Sequence, residues 1–169
     1  MKQLKTLLFI AILFVGTMSF THAQSKVAHI NTQELITAMP EMKAAQSQLE
    51  KLGKTYETEI QGMSTELQNK MKQYDAEAST KTDEENQKRL VEVQGMEQNI
   101  RQYQAQAQQD MQDKNLELLK PITEKAKTAI LKVARAQGFD YVLDSTQGGG
   151  VIMADGKNLL DDVKKELGF

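Results

Sequence analysis

The side chains here that could do chemistry are few and scattered. Beyond the first two dozen residues there is one histidine, His29, beside Ile30 in a β-branched run. Two carboxylates, Asp140 and Asp144, border a second such run, and Gly148-Gly149-Gly150 precedes a third. A lone imidazole serves as a general base or a metal ligand only with partners of suitable type close by. The chain has no Cys, which removes thiolate metal sites, iron–sulfur clusters, cysteine nucleophiles and disulfides together. The triple glycine lacks the Lys and hydroxyl residue of a phosphate loop and leads into a strand-like run instead of a helix. It reads as a turn, His29 as a packed or solvated strand residue, and Asp140 and Asp144 as caps or surface groups. No catalytic residue, metal or cofactor is expected.

The elements that would position a site point elsewhere. Of 169 residues, 40% are hydrophobic and only 5% aromatic, while 26% are charged. That is poor material for a large globular core, yet too apolar for a disordered chain. Met1, Lys2 and Lys5 open a short basic segment, Leu7 to Val15 form an apolar run, and Thr21-His22-Ala23 supplies the small residues of a signal-peptidase site. This predicts an exported chain cleaved after Ala23. The apolar run is about half of the ~20 residues needed to span a bilayer, and no Cys follows it to carry a lipid. Removing Lys2 and Lys5 takes the formal charge from −2 to −4, a mildly acidic balance that argues against nucleic acid.

The rest divides at its two prolines, Pro40 and Pro121. Outside them lie three β-branched runs, Val27 to Ile30, Tyr141 to Leu143 and Val151 to Met153, read as three short strands. Between them apolar residues recur at helical spacing: Leu49, Leu52, Tyr56, Ile60, Met63, Leu67, Met71 and Tyr74, then Leu90, Val93, Met96, Ile100, Tyr103, Ala107 and Met111. The first stripe repeats every eleven residues, which needs little or no left-handed supercoil. One antiparallel register pairs Leu52 with Met111, Tyr56 with Ala107, Ile60 with Tyr103, Met63 with Ile100, Leu67 with Met96, Met71 with Val93 and Tyr74 with Leu90. Its midpoint falls between Lys81 and Thr82, where Thr82 and Glu85 form a capping box. Each arm, 38 residues from Glu41 to Ala78, would be roughly 55 Å long.

The predicted fold is α+β and mainly α: a helical hairpin arm, residues 40–121, projecting from a small β-rich body of residues 24–39 and 122–169. In the body, Asn31 and Glu34 can cap a short helix reaching about Ala38, and Pro40 suits the first turn of the next. Pro121 should kink the return helix, Gly138 should end it, and a last helix should start near Asn158 and run through Val163 and Leu167. The body has 64 residues, below the ~70 to 80 at which a single core usually suffices without a staple. Oligomerisation is the expected solution, with copies sharing a sheet or barrel and so closing its edges. Gly62 and Gly95 interrupt good helix formers and mark where the arms are expected to bend.

Residues 41–120 hold fourteen Gln, eleven Lys or Arg and fifteen Asp or Glu. Lys70 with Lys72 and Lys88 with Arg89 could form local basic patches, although a solvated mixed surface is the plain reading. The seam methionines Met63, Met71, Met96 and Met111 read first as packing. Off-seam Val91 and Ala105 are better placed to touch a partner, with Met63, Met71 and Met96 as secondary candidates.

Two segments carry a family resemblance: KVAHINTQELITAMPEMKAAQSQLEKL, a strand, helix and Pro-led helix, and ITEKAKTAILKVARAQGFDYVLD, the return helix and second strand. With the leader, the Gln-rich hairpin and the closing helix, the chain resembles the OmpH family of periplasmic chaperones, the Skp group. The resemblance implies a homotrimer whose shared β-barrel carries three arms around a cavity for unfolded outer-membrane proteins, without ATP, cofactor or chemical step. The best-studied members are strongly basic, whereas residues 41–120 have a balance of −4. Binding to lipopolysaccharide or anionic membrane is therefore not carried over. The rival from another class is a rigid envelope spacer or adaptor that docks end to end.

Overall fold

A computed structural model describes residues 25–169. The leader and its cleavage after Ala23 lie outside the described residues. In chain order, β1 (Val27–Ile30) leads into α1 (Thr32–Ala38), then α2 (Pro40–Glu77), a 3-10 turn (Ala78–Thr80) and α3 (Asp83–Ala136). β2 (Tyr141–Asp144), β3 (Lys157–Asn158) and α4 (Leu160–Leu167) follow. The architecture is mainly helical, with α2 and α3 packed as an antiparallel hairpin beside a small three-stranded sheet.

Local chemistry sets each boundary. Asn31 Oδ1 accepts the Glu34 N–H at 2.9 Å and starts α1. Pro40 occupies the first turn of α2, where its missing N–H costs nothing. The hairpin turns where the apolar register requires it: Thr82 caps α3, its hydroxyl accepting the Glu85 N–H while the Glu85 carboxylate accepts the Thr82 N–H. α3 then runs 54 residues as one element across Pro121, whose ring removes the hydrogen bond to the Glu117 carbonyl without ending the helix. Gly138, at φ 72°, takes the left-handed conformation that lets the chain leave α3.

The sheet is parallel in the order β2-β1-β3, with Val27 opposite Tyr141 and Ala28 opposite Lys157. One face packs on the helices. Ala28 and Ile30 join Leu35, Met39, Ile122, Ala126, Ala129, Val133, Leu159 and Val163 in a single apolar cluster that also takes in Ala45 from the root of α2. The other face is uncovered: Val27 is 44%, Leu143 44% and Tyr141 60% exposed.

The third strand is not where β-propensity placed it. Val151 to Met153 lie in the loop between β2 and β3, with Ile152 fully exposed, and Lys157–Asn158 pair with β1 instead. Burial decided the pairing. β3 leads directly into Leu159, which is fully buried and donates its N–H to the His29 carbonyl at 2.9 Å. Asn158 Oδ1 accepts the Leu160 N–H at 2.9 Å and starts α4 two residues beyond the expected position.

Candidate functional site

The arm holds together by apolar contact along its seam and polar clamps on its flanks. Of the stripe residues on α3, only Ile100 and Ala107 are buried, and the tip residues Met71 and Leu90 remain about half exposed. Two helices alone cannot cover both sides of a single stripe. The polar contacts follow the same register. Tyr56 donates its hydroxyl to Asp110 at 2.8 Å, Tyr74 donates to Glu92 at 2.5 Å, and Tyr103 donates to Glu59. The Tyr56 and Tyr103 rings meet edge to face at 5.9 Å. Near the tip, Arg89 lies 4.5 Å over the Tyr74 ring and pairs with Glu77 at 2.5 Å, while Lys70 pairs with Glu92.

These contacts set the titration of the flanks. The Glu92 carboxyl is held below its ordinary value by the hydrogen bond from Lys70 and then by that from Tyr74. Glu77 is lowered by Gln73 and then by Arg89. The Tyr56 phenol is raised because Asp110 holds its proton.

The structure separates the candidate contact residues. Met63 and Met96 are half-buried and meet in a seam cleft of 240 Å³ that Ile100 and Lys70 also line. Met71 lies in a larger cleft of 580 Å³ below the tip, with Tyr74, Leu90 and Val93. Val91 is 59% exposed and Ala105 is also exposed, both on α3 and outside these clefts. Sequence reasoning did not single out the tip cleft, although Leu90 and Val93 stand in its stripe; its openness follows from incomplete cover at the hairpin end. The basic pairs are partly neutralised, since Lys70 engages Glu92, Lys88 engages Glu84 and Arg89 engages Glu77.

The remaining candidates assemble no chemistry. His29 is half-buried with Nδ1 3.2 Å from Ser145 Oγ. Asp140 accepts the Lys26 N–H at 2.9 Å. Asp144 accepts from the hydroxyls of Thr32 and Thr146, each at 2.6 Å, and from both of their N–H groups. Burial raises its pKa, but these bonds outweigh it and hold the carboxyl at about 2. Gly148 and Gly150 take left-handed φ values in a turn. Among the described residues, no group of three or more His, Cys, Asp or Glu could hold a metal ion, and no helix is long and apolar enough to cross a membrane.

A small mixed body carrying a long, polar-clamped two-helix arm defines a scaffold of the arm-and-body class. The chain belongs to the family described as outer membrane protein (OmpH-like), whose model matches residues 26–167. It is 28% identical over 145 residues to the chaperone protein Skp of Photorhabdus laumondii, covering 86% of this chain and 87% of that one. It is also 28% identical to that of Yersinia enterocolitica, over 85% of this chain and 86% of the relative. The Pectobacterium atrosepticum Skp is 24% identical, over 92% and 93% respectively. The fold matches the crystal structure of an OmpH-like protein from Caulobacter crescentus with a TM-score of 0.76 at 18% identity, over 86% of this chain and 85% of that chain. The family is one of outer-membrane-protein chaperones and not of enzymes.

Proposed function

We propose that this chain is an ATP-independent periplasmic holdase, exported on residues 1–23 and cleaved after Ala23, that shields unfolded outer-membrane proteins between its arms. Residues 24–39 and 122–169 would act as the assembly body and residues 40–121 as the arm, three copies closing into a homotrimer. The observation that carries this reading is the state of the hairpin. Its two helices pack on each other along a stripe that leaves Met71 and Leu90 about half exposed, with off-seam Val91 exposed as well, which suits weak contact with many apolar segments and release without fuel. Support for assembly comes from the uncovered sheet face bearing Val27, Tyr141 and Leu143, a surface that further copies would cover.

Light scattering of a urea-unfolded outer-membrane barrel protein, diluted with and without the purified mature chain and no nucleotide, tests the reading. Suppressed aggregation is expected. Unchanged aggregation, combined with capture of a folded envelope protein, would replace it with the spacer or adaptor function.

A further inference from the structure

Between Arg89 and Gln112, α3 has five charged residues, and every one is already engaged. Arg89 pairs with Glu77, Glu92 with Lys70 and Tyr74, Glu97 with Arg101, and Asp110 with Tyr56. At 100° per residue, four of them fall on the seam side or its flanks, and only Arg101, paired with Glu97, reaches the edge of the side opposite the seam. That side carries Gln94, Gln98, Gln102, Ala105 and Gln109, with Val91 at one end and Asp113 closing the other. All of these are exposed, and Gln109 donates to Asp113. In a chain with 26% charged residues, the stretch from Val91 to Gln109 is a strip about 27 Å long at 1.5 Å per residue, with the ion-paired Arg101 at its edge as its one charge.

We propose that this strip is a contact face for uncharged, extended segments of unfolded polypeptide. The inference rests on the holdase reading and deepens it by naming the face and its chemistry. A side-chain amide offers one acceptor and two donors, matching the peptide groups of a segment that lacks secondary structure. Val91 and Ala105 are spaced too far apart to form a patch for a folded partner, but each can receive one apolar side chain. An anionic lipid surface or nucleic acid would need a cluster of free Lys or Arg on the face, and its one cation, Arg101 at the edge, is paired with Glu97. The match is of neutral surface to neutral segment, so binding does not depend on the sign of the client's charge.

The test uses the full mature assembly and a fluorescently labelled, urea-unfolded outer-membrane barrel protein. Two paired variants are compared with wild type, Gln98→Glu with Gln102→Glu and Gln98→Arg with Gln102→Arg, after native mass and melting show that both assemble. Both are expected to weaken client binding by about threefold or more, because each charge must be desolvated against a neutral segment. A photocrosslinker at position 102 is expected to capture client more than one at exposed Lys54 on α2. Effects of opposite sign in the two variants, no effect in either, or equal capture at Lys54 would overturn the inference while leaving the holdase reading intact. A wild-type chain that fails to suppress aggregation would overturn both.

Discussion

Asp144 is the side chain with the most structural work concentrated on one group. Its carboxylate ties the end of β2 to the start of α1 through Thr32 and fixes the following turn through Thr146. The folded pKa, about 2, lies below the ordinary 3.8, so the native state binds fewer protons than the unfolded chain near that range. The resulting stability is fully present above about pH 4 and is lost as the pH falls through 2. The group is exposed, and solvent screening discounts the full linkage value. Asp144→Ala is expected to cost about 1 kcal/mol in urea unfolding at pH 7, and to flatten the loss of stability between pH 4 and 2. The sequence indicated that Asp144 borders a strand. The convergence of Thr32 from a segment 112 residues away left no local trace.

At the scale of elements, the hairpin was legible and its clamps were not. The seam could be read because apolar spacing and the capping box at Thr82 and Glu85 gave the same turning point by independent routes. Nothing local marks Glu59, Glu92 or Asp110 as partners of Tyr103, Tyr74 and Tyr56, since each pair is distant in sequence and joins only once the register exists. The strand at residues 151–153 was misplaced for a related reason: local β-propensity yielded to the burial of Leu159. The capping box makes a direct prediction. Thr82→Ala should destabilise the mature protein by about 1 kcal/mol and fray the tip first, read as faster amide exchange around residues 83–86. The glycines make a second. A Cβ at Gly62 or Gly95 would meet nothing within 4 Å, so packing does not demand either residue. Each Gly→Ala change should stabilise the arm by about 1 kcal/mol. If the arms bend at these points, the double variant will slow mid-arm amide exchange and reduce client binding; unchanged mid-arm protection would mean that the bends lie elsewhere.

For the whole molecule the question is what makes so thin a body stable. Five of the thirteen buried residues in its apolar cluster are alanines, and no aromatic ring is among them. Since stabilisation scales with apolar area removed from water, such a cluster yields far less than one built from large side chains. Meanwhile the large apolar residues Val27, Tyr141 and Leu143 stay on the uncovered side of the sheet, and Ile152 and Met153 stand free in its loop. The chain thus leaves several bulky groups on a surface that the proposed assembly would bury. Stability should then be inseparable from assembly, and the melting midpoint of the mature protein should rise with protein concentration. Tyr141→Asp with Leu143→Asp should abolish that concentration dependence and reduce the native mass to one subunit. The hairpin would keep its helical signal at low temperature, because its clamps lie within a single chain. A double variant that still assembled at wild-type mass would place the contact between copies away from this sheet face.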